Sequence, residues 1–94
     1  MPLHFEWDGE KAKANLKKHR VSFEEAATVF GGPFSMTISD PDHSAEEQHY
    51  IDIGTSDKGR LLVVVYTERG TTIRIISCRK ATPTERRRYE KGID

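Results

Sequence analysis

The spacing of apolar residues along this chain changes from a helical to a strand period at Gly31-Gly32-Pro33. Between Phe23 and Phe30, apolar residues recur at the period of about 3.6 that is typical of an α-helix. Between Phe34 and Ile38 they occupy every second position, which is typical of a half-buried strand. Helices therefore come first and strands follow. Helices grouped before an antiparallel sheet indicate an α+β domain.

Turn and capping residues divide the chain into elements. Asp8 and Ser22 are N-caps for two helices, and Glu25 completes a capping box with Ser22. The segment Leu61–Tyr66 is apolar at every position, which predicts a central strand covered on both faces. Thr82-Pro83-Thr84-Glu85 begins a final helix. The predicted order is a short N-terminal strand, two helices, a four-stranded antiparallel meander and a C-terminal helix.

The length of 94 residues predicts one domain over residues 1–94. No apolar run approaches the roughly 20 residues of a membrane-spanning helix, and the first residues lack the layout of a secretory signal. Cys78 is the single cysteine, so no intramolecular disulfide and no multi-thiolate zinc site can form. The pattern makes Cys78 a small buried filler. We expect a cytoplasmic protein without a cofactor.

The formal net charge of zero hides an asymmetry between the two parts of the chain. Residues 1–59 carry six basic and eleven acidic side chains, a net of −5. Residues 60–94 carry nine basic and four acidic side chains, a net of +5, and seven of the nine cations are arginine. A basic surface rich in arginine suits a phosphate backbone, because the guanidinium group binds phosphate through two nitrogens. Ordinary solvated charges on an exposed face would explain the same pattern.

Familiar catalytic motifs are absent from the sequence. There is no G-x-S-x-G, no Walker-type loop and no G-x-G-x-x-G. An acidic and histidine cluster, which could hold a metal ion or simply form a hydrogen-bonded turn, comprises Asp40, Asp42, His43 and Glu47. His19 ends the first predicted helix, where an imidazolium interacts favourably with the helix dipole.

A set of charged residues and one tyrosine near the C-terminus offers a different chemistry. Arg69 lies at a predicted hairpin tip, Arg79 ends the last predicted strand, and Tyr89 shares a helix face with Glu85 and Arg86. Cleavage of RNA without a metal needs a group that takes the 2′-hydroxyl proton, cations that hold the phosphorane charge and a group that protonates the leaving 5′-oxygen. These side chains could supply all three, although a surface arginine cluster would look the same.

Several sequence strings, in this order, resemble the BrnT toxin family, also described as DUF497. They include Phe5-Glu6-Trp7-Asp8, Lys18-His19, Val21-Ser22-Phe23-Glu24-Glu25-Ala26, Val64-Val65-Tyr66-Thr67-Glu68-Arg69-Gly70, Arg79-Lys80-Ala81, and Glu85-Arg86 with Tyr89. The resemblance covers nearly the whole chain. It implies a fold similar to that of RelE-like ribonucleases and a ribonuclease toxin of a type II toxin–antitoxin pair that blocks translation without a required metal.

The resemblance also implies partners and site residues. The partner would be a BrnA-type antitoxin, a ribbon-helix-helix DNA-binding protein, and operator DNA would be reached only through it. The charged positions that match the family's pattern are Glu68, Arg69, Arg74, Arg79, Lys80 and Tyr89, with His19 as a weaker candidate. We expect Arg69 and Arg79 to stabilise the scissile phosphate, and Tyr89 or Glu68 to act as acid or base. The side chains expected to bind RNA are Arg74, Lys80, Arg86, Arg87 and His49.

The sequence departs from the family's pattern at two informative positions. His49 stands where the family usually has an arginine, and Arg20 replaces a common glycine. A histidine titrates near neutrality, so activity here could be weaker or sensitive to pH. Three alternatives remain open at this point: a module that binds RNA without cleaving it, a metal-dependent nuclease built on the acidic and histidine cluster, and a degenerate toxin that only binds its antitoxin.

Overall fold

The computed structural model describes residues 4–31, 36–40 and 49–92. In chain order the elements are β1 (His4–Glu6), α1 (Gly9–His19), α2 (Phe23–Ala27), a 3-10 turn (Thr28–Gly31), β2 (Met36–Asp40), β3 (His49–Thr55), β4 (Leu61–Arg69), β5 (Thr72–Lys80) and α3 (Pro83–Gly92). This order confirms the predicted α+β class, with helices on both sides of the strand series.

The strands form one five-stranded sheet in the order β1-β5-β4-β3-β2. From β2 to β5 each strand pairs antiparallel with the next, as predicted for the meander. β1 pairs with β5 in parallel, with His4 opposite Thr72 and Glu6 opposite Arg74, so the prediction of an antiparallel sheet is corrected to a mixed one. Alternation of apolar residues shows which face a strand buries but not which strand lies beside it, and for that reason it did not place β1.

The helices begin at the predicted capping residues. The Asp8 carboxylate accepts hydrogen bonds from the backbone N–H groups of Glu10 and Lys11, at 2.8 and 3.2 Å. Ser22 Oγ accepts from the N–H of Glu25 at 3.0 Å, but the Glu25 side chain does not return to Ser22. The capping box predicted there is therefore only half formed, because the Glu25 carboxylate binds Arg60 instead.

Arg20 ends α1 in a left-handed conformation, with φ of 60° and ψ of 30°. Its N–H donates to the carbonyl of Leu16 at 2.9 Å, which closes the last turn. Glycine adopts this backbone conformation without a clash between Cβ and the carbonyl oxygen, whereas other residues are destabilised in it by roughly 1 kcal/mol. This geometry explains why glycine suits the position that arginine occupies here.

Apolar residues cover both faces of the central strand β4, as the sequence predicts. On the first face, Leu62 and Val64 are fully buried and pack in one cluster with Val21, Phe23 and Ala26 from the segment containing α2. On the second face, a smaller cluster consists of Ile53, Leu61, Val63 and Tyr89. The first two helices thus lie on the first face and α3 on the second. Full burial of each such side chain contributes about 1.5–3 kcal/mol to the free energy of unfolding.

The polar side chain of Asn15 in α1 is buried against the first-face core. Its amide nitrogen donates to the carbonyls of Cys78 and Val21, at 2.9 and 3.0 Å, and its oxygen accepts from the N–H of Cys78 at 3.1 Å. β1 pairs with β5 only as far as Arg74, so at Cys78 the Asn15 amide takes the place of a neighbouring strand. This helix is therefore fixed to the sheet by hydrogen bonds as well as by apolar contact.

Candidate functional site

The two arginines of β5 share the second face because of an irregularity in the strand. Arg74 and Arg79 are five positions apart, and regular alternation would place them on opposite faces. The pairing of β4 with β5 shifts register between Val65 and Tyr66, which adds one residue to β5 at this point. Ile75 and Cys78 consequently both belong to the first-face cluster. Arg74 and Arg79, next to them in sequence, therefore both lie on the second face.

Arg79 is held by a carboxylate from α3. Its two terminal nitrogens donate to the two oxygens of Glu85, at 2.7 and 2.9 Å. Glu85 also accepts from the N–H of Thr82 at 2.9 Å, and Thr82 Oγ1 accepts from the N–H of Glu85, so this capping box forms completely. The Arg79 side chain is 41% exposed and that of Glu85 27%. The ion pair thus fixes a solvent-facing guanidinium group at the start of α3.

Tyr89 lies one helical turn beyond Glu85 on the same helix. The residue is 7% exposed and packs against Ile53, Leu61 and Val63, so it attaches α3 to the second face. Among the described residues, Thr67 Oγ1 is the one side-chain polar atom that is fully buried and has no hydrogen-bond partner. The Tyr89 hydroxyl makes no hydrogen bond there either, so it is not fully buried and reaches the surface of the protein. The tyrosine predicted as an acid or base is therefore also an apolar anchor.

Two further predicted residues lie on the arginine-bearing face. Arg69 pairs with Thr72 at the end of β4, and alternation from Thr67, which pairs with Arg74, places Arg69 on the second face. His49 is half-buried at the start of β3 and shares the second face with Ile51 and Ile53 by the same alternation. Both make interactions within the protein, so neither is free.

The structure separates other predicted residues from this group. Glu68 pairs with Ile73 of the first-face cluster, and Lys80 pairs with Leu62 of the same cluster, so both alternate to the first face. His19 lies in the last turn of α1, also on that side of the sheet. Arg86 and Arg87 are exposed on α3. Arg86 lines a shallow depression of about 260 Å³ together with Gly59, Arg60, Leu61, Lys80 and Ala81.

Glu85 is the residue of this site that sequence reasoning missed. The pattern predicts a capping box for Glu85 and a helix face shared with Tyr89, but it does not predict that the Glu85 carboxylate also binds Arg79. The signal is the short spacing of six residues between an arginine that ends a strand and a glutamate in the first helical turn. A tight strand-to-helix connection brings two such positions together.

A second carboxylate with an arginine partner lies between α2 and the β3–β4 turn. Glu25 is buried and accepts from Arg60 Nε at 2.9 Å and from Ser56 Oγ at 2.7 Å, and Arg60 also pairs with its other oxygen. These hydrogen bonds, above all those from Arg60, hold the pKa of Glu25 below its usual value. The pair fixes the turn to the first-face helices.

Stability should fall in acid because of these two carboxyl groups. The Arg79 hydrogen bonds lower the pKa of Glu85 from 4.5 to about 2. A lowered pKa in the folded state stabilises the protein above pH 4.5, and this contribution is lost as the pH falls toward 2, because the unfolded chain binds the proton first. Urea unfolding at pH 7 and pH 2.5 should show that Glu85→Gln costs about 1 kcal/mol at pH 7 and much less at pH 2.5, because the ion pair is partly exposed to solvent. Glu90→Gln, at an exposed position of the same helix, is the matched control; an equal cost of Glu85→Gln at both pH values would contradict the prediction.

Several expectations about other chemistries concern specific parts of the chain. Cys78 is buried, and burial raises the pKa of its thiol to about 11, which fits a filler and not a nucleophile. Asp42, His43 and Glu47 of the predicted acidic and histidine cluster lie outside the described residues. Within residues 4–31, 36–40 and 49–92, no three acidic, histidine or cysteine side chains group as metal ligands. None of the helices described is long and apolar enough to cross a membrane.

Comparison with known proteins adds a family and a fold. A family model described as "Ribonuclease toxin, BrnT, of type II toxin-antitoxin system" matches residues 7–85. No curated protein matches. The fold is similar to that of the Brucella abortus ribonuclease toxin BrnT, known from a 1.1 Å crystal structure, with a TM-score of 0.62 and 20% sequence identity. The similarity covers 85% of this chain and 97% of that one.

Proposed function

Because this chain belongs to the BrnT family of ribonuclease toxins of type II toxin–antitoxin systems, we propose that it is an endoribonuclease that cuts RNA without a metal ion. Residues 1–94 act as one domain in the cytoplasm, and cleavage blocks translation. The observation that carries the proposal is the irregularity in β5, which places Arg74 and Arg79 on one face of the sheet beside the helix that bears Tyr89.

RNA cleavage of this kind needs a cation at the phosphate and two proton transfers, and the side chains of the second face supply the cation and one of the two proton-transfer groups, with water as the other. The RNA 2′-oxygen attacks phosphorus and forms a bond to it, while the bond from phosphorus to the 5′-oxygen breaks. The 2′-hydroxyl proton passes to a base and a proton is given to the leaving 5′-oxygen, so the products are a cyclic phosphate and a 5′-hydroxyl. Arg79 stabilises the charge on the phosphorane through charge-assisted hydrogen bonds. Arg69 lies six positions along β4 from Val63, the partner of Arg79, which is roughly 20 Å, so in this proposal it binds RNA further along the same face.

The position of Arg79 supports its role. Glu85 binds the terminal nitrogens of Arg79 and so orients the guanidinium group before substrate arrives. The Arg79 side chain is still 41% exposed to solvent, which leaves room for a phosphate. Among the described residues its Nε makes no hydrogen bond, and this nitrogen is the donor we assign to the scissile phosphate. A hydrogen-bond donor that is already held in place needs little rearrangement when negative charge develops in the transition state, so the free-energy cost of that rearrangement is small.

The acid or base is Tyr89 or Glu68, and the geometry favours Tyr89. Tyr89 lies on the helix that also supplies the carboxylate partner of Arg79, and it packs on the second face. Glu68 alternates to the first face, so the sheet separates it from Arg79. A proton must be exchanged within hydrogen-bond reach of the phosphate that Arg79 holds.

RNA binding involves a wider set of cations around this face. Arg74 lies beside Glu6 at 3.6 Å on the β1 side, and the exposed Arg86 and Arg87 lie on α3. Lys80 adjoins Arg86 in the shallow depression at the end of β5, and His49 extends the second face on β3. Contacts of this kind are electrostatic, so RNA affinity should fall steeply as salt concentration rises.

The test of the proposal is cleavage of naked RNA by the purified chain with EDTA present. Cleavage that persists in EDTA and leaves 5′-hydroxyl ends is the expected result. Loss of cleavage in EDTA, restored by added Mg²⁺, would favour the metal-dependent alternative instead. Salt-sensitive RNA binding without any cleavage would favour a binding module. If naked RNA is not cleaved, growth is measured after the chain is induced in cells. Growth arrest would then indicate a ribosome-dependent nuclease, and normal growth a degenerate toxin.

A toxin of this class has an antitoxin as its partner. We assign it to the BrnA type, a ribbon-helix-helix protein through which the complex reaches operator DNA. The chain contributes no DNA contact of its own in this proposal. Co-purification of the two proteins, followed by a gel-shift assay with and without the antitoxin, would test the assignment. Operator binding by the toxin in the absence of the antitoxin would contradict it.

A further inference from the structure

Leu16 stands out on the surface of α1 because it is a large apolar side chain with 49% of its area exposed. The preceding residue, Asn15, faces the core, and one helical step turns Leu16 about 100° away from it. Lys13, Lys17 and Arg20 surround Leu16 and line a shallow groove of about 640 Å³ with it. We call this surface the α1 groove.

A second, smaller depression lies on the other side of Leu16. It has a volume of about 190 Å³ and is lined by Ala12, Lys13, Leu16, Ser22, Phe23 and Glu24. Leu16 is therefore a ridge between two hollows, so side chains of a bound segment could pack on both sides of it. An apolar centre with a charged rim is the usual arrangement at protein–protein contacts.

We propose that the α1 groove binds an acidic amphipathic segment of the antitoxin. An apolar side chain of that segment packs against Leu16, and its carboxylates pair with Lys13, Lys17 and Arg20. The described lining of the groove holds three cations and no carboxylate, so its charge complements an acidic segment.

The composition of the groove favours a protein over RNA as its occupant. RNA binding surfaces combine cations with aromatic side chains on which bases stack. Among the described lining residues of the α1 groove none is aromatic, and its centre is an aliphatic side chain that contributes nothing to phosphate binding. Burial of Leu16 by a partner would remove apolar surface from water, which is favourable only with an apolar counterpart.

The α1 groove is also separated from the proposed catalytic face. α1 lies on the first face of the sheet, whereas Arg74 and Arg79 lie on the second. A substitution in the groove should therefore weaken antitoxin binding and leave RNA cleavage unchanged. The inference rests on the proposed function for the identity of the partner, but the binding measurement does not depend on cleavage.

The experiment measures the dissociation constant of the complex between this chain and its purified antitoxin. Leu16→Asp should weaken binding by about 30-fold, the loss typical of an apolar anchor at the centre of an interface. The double variant Lys13→Glu with Lys17→Glu should weaken it by about 10-fold at low salt and by less at high salt. The double variant Arg88→Glu with Lys91→Glu, an equal charge reversal at two exposed sites on α3, should stay within threefold of wild type and serves as the control.

Thermal melting and RNA cleavage by each variant complete the test. Leu16 is half exposed, so Leu16→Asp should fold normally and cleave RNA at the wild-type rate. Unchanged antitoxin affinity in Leu16→Asp, or no antitoxin binding by the wild type, would overturn the inference. RNA affinity that falls in the double variant while antitoxin affinity holds would assign the groove to RNA instead. Absence of both cleavage and growth arrest with the wild type would overturn the proposed function and leave the binding comparison valid.

Discussion

Replacement of Arg79 by alanine is expected to reduce RNA cleavage by about 100-fold or more and to abolish growth arrest. The reason is the loss of a preorganised donor at the phosphate, and removal of one such donor typically lowers the rate by this amount. Arg79→Lys keeps the charge but loses the two-nitrogen contact with Glu85, so it should recover only part of the activity. Initial cleavage rates on one RNA substrate, measured in EDTA, provide the comparison.

The matched control for Arg79→Ala is Arg88→Ala. Arg88 is exposed on α3 and lies outside the proposed site. Because it is also an arginine, its replacement by alanine changes the total charge by the same amount as Arg79→Ala. Arg88→Ala should cleave at close to the wild-type rate, and both variants should melt within a few degrees of wild type because a partly exposed ion pair contributes about 1 kcal/mol or less. Equal activity of Arg79→Ala and wild type would show that Arg79 is not in the active site.

The largest loss of stability is expected from Asn15→Ala. The substitution leaves the N–H and C=O of Cys78 and the C=O of Val21 without the side chain that now binds them. A buried polar group without a partner costs roughly 1–3 kcal/mol, so we expect a fall of about 3 kcal/mol in the free energy of unfolding. Urea unfolding at pH 7, with the slope against denaturant held constant, measures this quantity.

Two variants make the Asn15 prediction specific. Asn15→Asp keeps an acceptor for the N–H of Cys78 but presents an acceptor to two carbonyls, so it should destabilise the protein at least as much as alanine does. Lys13→Ala, at an exposed position of the same helix, should change stability by no more than about 0.5 kcal/mol. The prediction fails if Asn15→Ala costs less than about 1 kcal/mol.

The parts of the fold that depend on neighbouring residues could be predicted from the sequence. The change of apolar period at Gly31-Gly32-Pro33 separates α2 from the strands, and Asp8 and Ser22 cap the helices as expected. The uninterrupted apolar run in β4 is covered on both faces. Each of these features follows from residues within one helical turn or a few strand positions of one another.

The remaining features depend on residues distant in sequence. Glu25 fits a capping box with Ser22, yet its carboxylate turns to Arg60, which lies 35 positions further along the chain. Asn15 and Cys78 are 63 positions apart, so nothing near either residue reveals that pairing. An ion pair or an amide contact of this kind depends on the assembled sheet.

The sequence predicts which residues belong to the candidate site better than it predicts how they are arranged. The resemblance and the charge pattern selected Arg74, Arg79 and Tyr89, but alternation along β5 would have placed the two arginines on opposite faces. The extra residue opposite Val65 and Tyr66 reverses that result. Such irregularities arise from pairing between strands, so the spacing within one strand does not reveal them.

The parallel pairing of β1 with β5 also bears on the synthesis of the chain. His4 and Thr72 are neighbours in the sheet but lie 68 residues apart, so a ribosome working at about 5–20 residues per second needs roughly 3–14 s between them. The first strand to be made is therefore among the last to be paired. β5 completes the sheet and carries Arg74 and Arg79, and α3 with Tyr89 follows it, so a nascent chain acquires its proposed toxic surface only after the last strand and the last helix have been made.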